Sequence, residues 1–501
     1  MQLANTKEEV SKYLLLTAVK MRSPVLFYRV LLDNLAEYLP IVYTPTVGLA
    51  CQQFSSLFRA PDGLYINLSM QGRILASLES LKKEKPDVEV IVVTDGSRIL
   101  GLGDLGVGGI PIPIGKLALY VTCGGIHPSR TLPIILDVGT NNKDLLVDPF
   151  YLGLPRPRVG DDEYFPFCDE FVNAIRTLYP NAFLQFEDFS TEHAFELLRL
   201  YRYKTLCFND DIQGTAGIVV ASLINAMRIL KAQLHRQKIL FYGAGSAATG
   251  ILDLLAFYIK ELNMQSSTEN NPFYLIDSKG LIVSSRGDLQ GYKKNFARTD
   301  ITEHITDLLA IVQKIQPTVL IGVSAHTGAF TPEVMEYMAT YCTPVILPLS
   351  NPTSKAECQA IDAIRATKGR VLCATGSAST TLEYEGRTLK IGQANNMYLF
   401  PGIGLGCTVG KVTLVSDLQV IRGAEALAEM VTREDLDSGC LFPDIAQARM
   451  IATNVAAAVI RQAARDGCCG AALVAAADDE SLKNIITASM YIPAYNSSSR
   501  V

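Results

Sequence analysis

Two periodicities divide the chain. Up to about residue 40 the apolar positions recur at helical spacing: Phe27, Leu31 and Leu35 fall on one face, and Thr6-x-x-Glu9 fits a capping box that would start a helix. From Val88 onward short apolar runs alternate with longer amphipathic ones. The runs are VEVIVV from Val88, LPIILD from Leu132, AFLQF from Ala182, TLCF from Thr205, KILFY from Lys238, FYLI from Phe273, TVLIGV from Thr318, PVILPL from Pro344 and RVLCA from Arg370. This alternation predicts an α/β, multi-domain protein whose parallel sheets are covered by helices on both faces.

Polar residues close each run: Asp95-Gly96, Asp137, Glu187-Asp188, Asn209-Asp210-Asp211, Gly243-Ala244-Gly245, Asp277, Ser324, Asn351 and Gly376-Ser377. Open α/β sheets bind ligands beyond the carboxyl ends of their strands, which makes these residues site candidates as a class. Asp, Asn and Gly also terminate strands through turn chemistry alone, so each single position keeps that plainer explanation.

Two segments match G-x-G-x-x-G/A. In Gly243-Ala244-Gly245-Ser246-Ala247-Ala248, the strand KILFY leads in and a long apolar helix leads out, which would place a pyrophosphate at a helix N-terminus. The next strand ends in Asp277, the kind of position from which an acid reads a nucleotide ribose. The other segment, Gly101-Leu102-Gly103-Asp104-Leu105-Gly106, runs into Val107-Gly108-Gly109-Ile110-Pro111-Ile112-Pro113. Those glycines and prolines are not expected to open a helix, so this loop reads as lining for a site rather than as a cofactor cradle.

Composition narrows the class. At 501 residues two or more domains are expected, and 49% hydrophobic with 19% charged residues is a globular balance. A net charge of −5 offers no basic field to nucleic acid or to an anionic membrane, which leaves a small molecule as the expected partner. Eleven cysteines, with no C-x-x-C pair and with Cys468 next to Cys469, suggest neither zinc nor a disulfide framework. The expected compartment is reducing, with the cytoplasm favoured and the mitochondrial matrix the alternative should a leader precede residue 1.

VYTPTVGLACQ from Val42, VVTDGSRILGLGDLG from Val92, PIGKLALY from Pro113, LDVGTNN from Leu136, QFEDF from Gln185, FNDDIQGTA from Phe208, GAGSAATGI from Gly243, LSNPTSKAEC from Leu349 and GQANNMYLFPG from Gly392 together resemble the malic enzymes. The resemblance runs from about residue 10 to about 460. It implies oxidative decarboxylation of (S)-malate to pyruvate and CO2 with reduction of NADP+. An NAD-linked or malolactic-type enzyme, or an inactive nucleotide-binding relative, is the alternative.

The resemblance also implies roles. Glu187, Asp188 and Asp211 would hold a divalent metal, and three carboxylates favour Mg2+ or Mn2+ over zinc. Lys116 would be the general base, oriented by Asp210; a lysine opening the apolar run LALYV suggests a pKa lowered by burial or by the metal, or else a surface side chain that snorkels. Tyr43 would be the general acid. Arg98 would clamp the malate carboxylate, with Asn351 and the Asn395-Asn396 pair contacting substrate and nicotinamide. Gly243, Gly245, Ser246, Ala247, Ala248 and Asn351 would bind cofactor. Asp277, Ser278, Lys279 and Lys293 resemble the NADP-preferring pattern, in which cations meet the 2′-phosphate, and NAD is the alternative.

The implied domains are an N-terminal helical domain (1–61), a malate and metal domain (62–209 with 396–467), a Rossmann-type domain (210–395) and a C-terminal helical segment (468–501). Relatives form homodimers or homotetramers. The pattern departs from the family at Ala394 and at Ala378-Ser379. Arg22 aligns with a fumarate-binding arginine whose partner would precede residue 1, so the reading does not extend to activation by fumarate.

Overall fold

A computed structural model describes residues 2–57, 62–262, 271–289, 291–351, 353–376 and 380–495. The chain forms two compact units. Unit 1 comprises Met1–Asp210, Met397–Gly423 and Ile445–Val501; unit 2 comprises Asp211–Asn396 and Ala424–Asp444.

Unit 1 is built on a five-stranded sheet of β1 (Leu64–Asn67), β2 (Val90–Thr94), β3 (Thr131–Asp137), β4 (Phe183–Phe186) and β5 (Cys207–Asn209), in the order β1-β3-β2-β4-β5. Every pairing is parallel. Parallel strands are buried on both faces, and every residue of β2, β4 and β5 is buried. Because the strands run the same way, Asp95, Glu187 and Asp210 all emerge at one edge, from the neighbouring strands β2, β4 and β5. That edge is where the chemistry collects.

Unit 2 carries an eight-stranded sheet: β6 (Ile239–Tyr242), β7 (Phe273–Asp277), β8 (Gly280–Leu281), β9 (Val319–Gly322), β10 (Val345–Pro348), β11 (Leu372–Thr375), β12 (Thr380–Tyr384) and β13 (Arg387–Gln393). Its order is β12-β13-β11-β10-β9-β6-β7-β8. The middle is parallel, as expected, but both ends are antiparallel hairpins, β12 with β13 and β7 with β8. The helix Ser246–Leu262 begins directly after the Gly243 loop, giving the strand, loop and helix of a dinucleotide-binding unit.

Three local expectations are corrected. Glu8, not Thr6, is the N-cap of the helix Glu9–Arg22, and it makes no side-chain capping bond; the Glu9 carboxylate is engaged instead with Thr46 Oγ1 at 3.1 Å. Tertiary pairing has outcompeted the local box. Phe27 and Leu31 are buried on Pro24–Asp33, but that helix ends before Leu35, which starts the next one. The first glycine loop does open a helix: Gly106–Gly109 forms a 3-10 turn, and Pro111–Thr122 follows as an α-helix. Pro111 and Pro113 lie in its first turn, where backbone N–H groups have no intrahelical acceptor to lose.

The apolar stretch Asp210–Leu230 is long enough to cross a bilayer, yet 78% of its most apolar window is buried within the protein, as in the core helix of a globular unit. Phe208, fully buried in β5, packs its ring 5.9 Å from that of Phe183 in β4. Phe208→Ala is expected to cost about 3–5 kcal/mol, read as a lower denaturation midpoint with β5 the destabilised strand.

Candidate active site

Lys116 sits on the helix Pro111–Thr122 with only 2% of its surface exposed. Its ammonium lies 2.9 Å from Glu187 Oε1 and donates to Asp210 Oδ2. The rings of Phe400 and Tyr43 lie 4.7 and 5.3 Å from Lys116 Nζ. Burial opposes the charge, but Asp210, Glu187 and Tyr43 outweigh it and hold the ammonium well above the ordinary lysine range. This corrects two expectations: Lys116 does not snorkel, and in the protein alone its pKa is raised rather than lowered.

Tyr43 caps the C-terminus of the helix Leu35–Val42. Burial raises its phenol well above the usual value; Lys116 pulls the other way, while Glu187 and Asp210 add to the rise. Gly115 permits the approach of these two elements. A β-carbon there would lie 2.8 Å from the Val42 carbonyl oxygen, so any larger residue would push the Lys116 helix away from Tyr43.

Carboxylate oxygens of Glu187, Asp188 and Asp211 lie within 4.8 Å of one another. Asp188 takes up the left-handed region at φ 56°, a strained conformation for a non-glycine residue and one that concentrates at functional positions. The loop after β2 supports it. Arg98 N donates to the Asp188 carbonyl at 3.2 Å, and Leu100 N to Asp188 Oδ1 at 3.2 Å. The donor set is all oxygen and all anionic, which suits a hard divalent cation such as Mg2+ or Mn2+. The Arg98 guanidinium is exposed and donates to Thr191 Oγ1 at 2.5 Å.

Sequence reasoning passed over Gln185 and Phe400. Gln185 is fully buried in β4, donates to Glu187 Oε2 at 2.7 Å and accepts from Tyr120 Oη, so it orients one of the carboxylates facing Lys116. A glutamine inside an apolar strand was the available signal.

In unit 2, Gly243, Ala244 and Gly245 form the turn before Ser246, Ala247 and Ala248 open the helix. Asp277 ends β7, and its carboxylate accepts from Arg286 at 2.8 and 3.2 Å and from Lys293 at 2.8 Å. Burial works against that carboxylate's charge, but Arg286 and Lys293 hold its pKa below the usual range. Ser278 is exposed, and Lys279 pairs with Asp288 at 2.8 Å. Arg286 went unread in the sequence, though it is a cation nine residues beyond Asp277.

The Asn351 side chain packs against Gly376. Asn395 is buried, and Asn396 Nδ2 donates to Thr215 Oγ1 at 3.1 Å. Ala394, one departure from the family pattern, is buried just past β13. The other, Ala378-Ser379, lies outside the described residues together with Ser377, as do positions 263–270 of the insertion before β7.

The malic enzyme N-terminal domain model matches residues 20–202, and the malic enzyme NAD-binding domain model matches residues 212–464. An NADP-dependent malic enzyme of Dictyostelium discoideum is 41% identical over 499 residues, covering 99% of this chain and 90% of the relative. NADP-dependent malic enzyme 3 of Arabidopsis thaliana is 48% identical over 454 residues, covering 90% and 76%. Among solved structures, the malic enzyme of Entamoeba histolytica superposes with a TM-score of 0.63 at 23% identity, covering 90% of this chain and 80% of that one, a likeness of fold. With both domain models matched in order and relatives aligned along most of both chains, this chain belongs to the malic enzyme family.

Proposed function

We propose that the protein oxidatively decarboxylates (S)-malate to pyruvate and CO2 while NADP+ becomes NADPH. The observation that carries the reading is Lys116, buried between Glu187 and Asp210 beside the Tyr43 ring. It sets a proton acceptor and a proton donor next to a carboxylate cluster suited to a divalent cation.

Lys116 Nζ receives the proton of the malate C2 hydroxyl once its own proton has passed toward Asp210, the carboxylate it already donates to. Tyr43 Oη, kept protonated by burial, delivers a proton to C3 of enolpyruvate, and Lys116 is near enough to replenish it. Arg98 offers a planar guanidinium for a substrate carboxylate. Glu187, Asp188 and Asp211 are the residues that would hold Mg2+ or Mn2+; bound there, such a cation supplies Lewis acidity toward a substrate oxygen and offsets the negative charge that keeps Lys116 protonated. The nicotinamide cofactor supplies the hydride acceptor, and the Gly243 turn with the following helix N-terminus suits its pyrophosphate.

NADP rather than NAD is favoured by the cations gathered at the end of β7: Arg286 and Lys293 on Asp277, with Lys279 nearby in sequence. Assembly as a homodimer or homotetramer belongs to the same proposal, as does a cytoplasmic location, with the mitochondrial matrix as the alternative.

Purified protein with malate should reduce NADP+ in the presence of Mn2+ and stop on addition of EDTA; NADP+ reduction independent of both malate and Mn2+ would sink the reading. Asp188→Asn should weaken Mn2+ binding by roughly 10–100-fold, measured by calorimetric titration. Lys116→Ala should abolish turnover while leaving NADPH fluorescence titration intact. Lys293→Ala should raise KM for NADP+ by about tenfold and change KM for NAD+ much less, as steady-state kinetics with both cofactors would reveal.

A further inference from the structure

Unit 2 contains a fully buried carboxylate, Glu357, that the proposed mechanism does not use. Among the described residues it pairs with no cation. Its Oε1 accepts from the Ser324 N–H at 2.9 Å, the Ser324 hydroxyl at 3.0 Å and the Ser350 hydroxyl at 2.6 Å. Its Oε2 accepts from the Ser350 N–H at 3.4 Å. A buried carboxylate is costly unless donors surround it, and here the donors come from two separate loops.

Those loops are neighbours in the sheet. Ser324 lies just past β9 and Ser350 just past β10, at the same carboxyl edge of adjacent parallel strands. The Ser350 hydroxyl also accepts from Ala325 N at 2.8 Å, which ties in a residue held at φ 56°. Gly322, the last residue of β9, is shaped to the same carboxylate. A β-carbon there would fall 2.5 Å from Glu357 Cδ and 2.6 Å from Oε2, both locked in place.

Asn351 is the next residue after Ser350. On its other side its amide meets Gly376 just past β11, where a β-carbon would come within 2.7 Å of Asn351 Oδ1. The Gly376 carbonyl in turn accepts from Gln393 Nε2 at 3.0 Å. Asn351 is therefore confined between the Glu357 clamp and the Gly376 backbone.

We propose that Glu357 is a positioning residue for the reaction: by clamping the loops after β9 and β10 through Ser324 and Ser350, it fixes the Asn351 amide in the orientation that turnover needs. This rests on the malic enzyme reading, in which Asn351 contacts substrate and nicotinamide. Glu357 acts through the two serines it holds, Ser324 and Ser350.

Glu357→Gln keeps the side chain's size but turns an N–H donor toward the Ser350 N–H or the hydroxyls. In the full-length protein with malate, NADP+ and Mn2+, kcat should fall by about tenfold or more, while the NADPH dissociation constant, read by fluorescence titration, shifts by no more than it does in Asn351→Ala. Added to Asn351→Ala, the same substitution should lower kcat by less than about twofold further, because both variants remove one function.

A folded Glu357→Gln with kcat within about twofold of wild type overturns the proposal, and so does a fully multiplicative effect with Asn351→Ala. Should Glu357→Gln fail to fold, Ser350→Ala removes the linking hydroxyl, leaves the carboxylate its Ser324 donors and is judged by the same criteria. Wild-type protein that does not turn over malate would instead defeat the functional reading.

Discussion

An ammonium taken out of water between two carboxylates is the constraint around which unit 1 is organised. Lys116 could not be buried alone, because the desolvation of a lone cation exceeds what packing returns, and Glu187 and Asp210, just past β4 and β5, offset that cost. The parallel order of β2, β4 and β5 makes this meeting possible, since it delivers successive strand ends to one edge. Gly115 then lets the lysine's helix close against the Tyr43 segment. Asp188 and Asp211 cluster with Glu187, so carboxylates here outnumber the lysine. That excess of negative charge is the electrostatic reason the cluster suits a divalent cation.

Unit 2 treats a buried acid differently. Glu357 is satisfied by N–H and hydroxyl donors rather than by a cation, so its hydrogen bonds have direction as well as strength and can hold two loops in register. A salt bridge such as that of Asp277 with Arg286 and Lys293 sits instead at the partly open end of β7, where cations can also serve a ligand. Within one sheet, then, one carboxylate fixes geometry while another gathers positive charge.

Much of this was legible in the amino-acid sequence, for identifiable reasons. All nine apolar runs became strands because parallel strands buried on both faces must be continuously apolar. The strands that escaped notice lack that property. In β12 the residues are largely exposed, β8 is two residues long, and the hairpin β12–β13 needs only a cross-strand partner. The helix after the first glycine loop is hidden in the sequence by prolines that would break a helix in its middle but here occupy its first turn. The Thr6 box does not form because a local cap competes with any tertiary partner the acid can find, here Thr46.

The amino-acid sequence by itself determined the order of elements, the dinucleotide-binding turn at Gly243 and the supply of oxygen ligands, since each depends on neighbours a few residues apart. Tertiary structure decided the carboxylate partners of Lys116, the contacts of Gln185, the pairing of Asp277 with Arg286 and the clamp of Glu357 on Ser324, Ser350 and Gly322. The physical reason is the same in each case. A buried group's energy is set by the side chains and backbone that reach it, and here most of those arrive from other strands and loops, brought together by the order of strands in the two sheets.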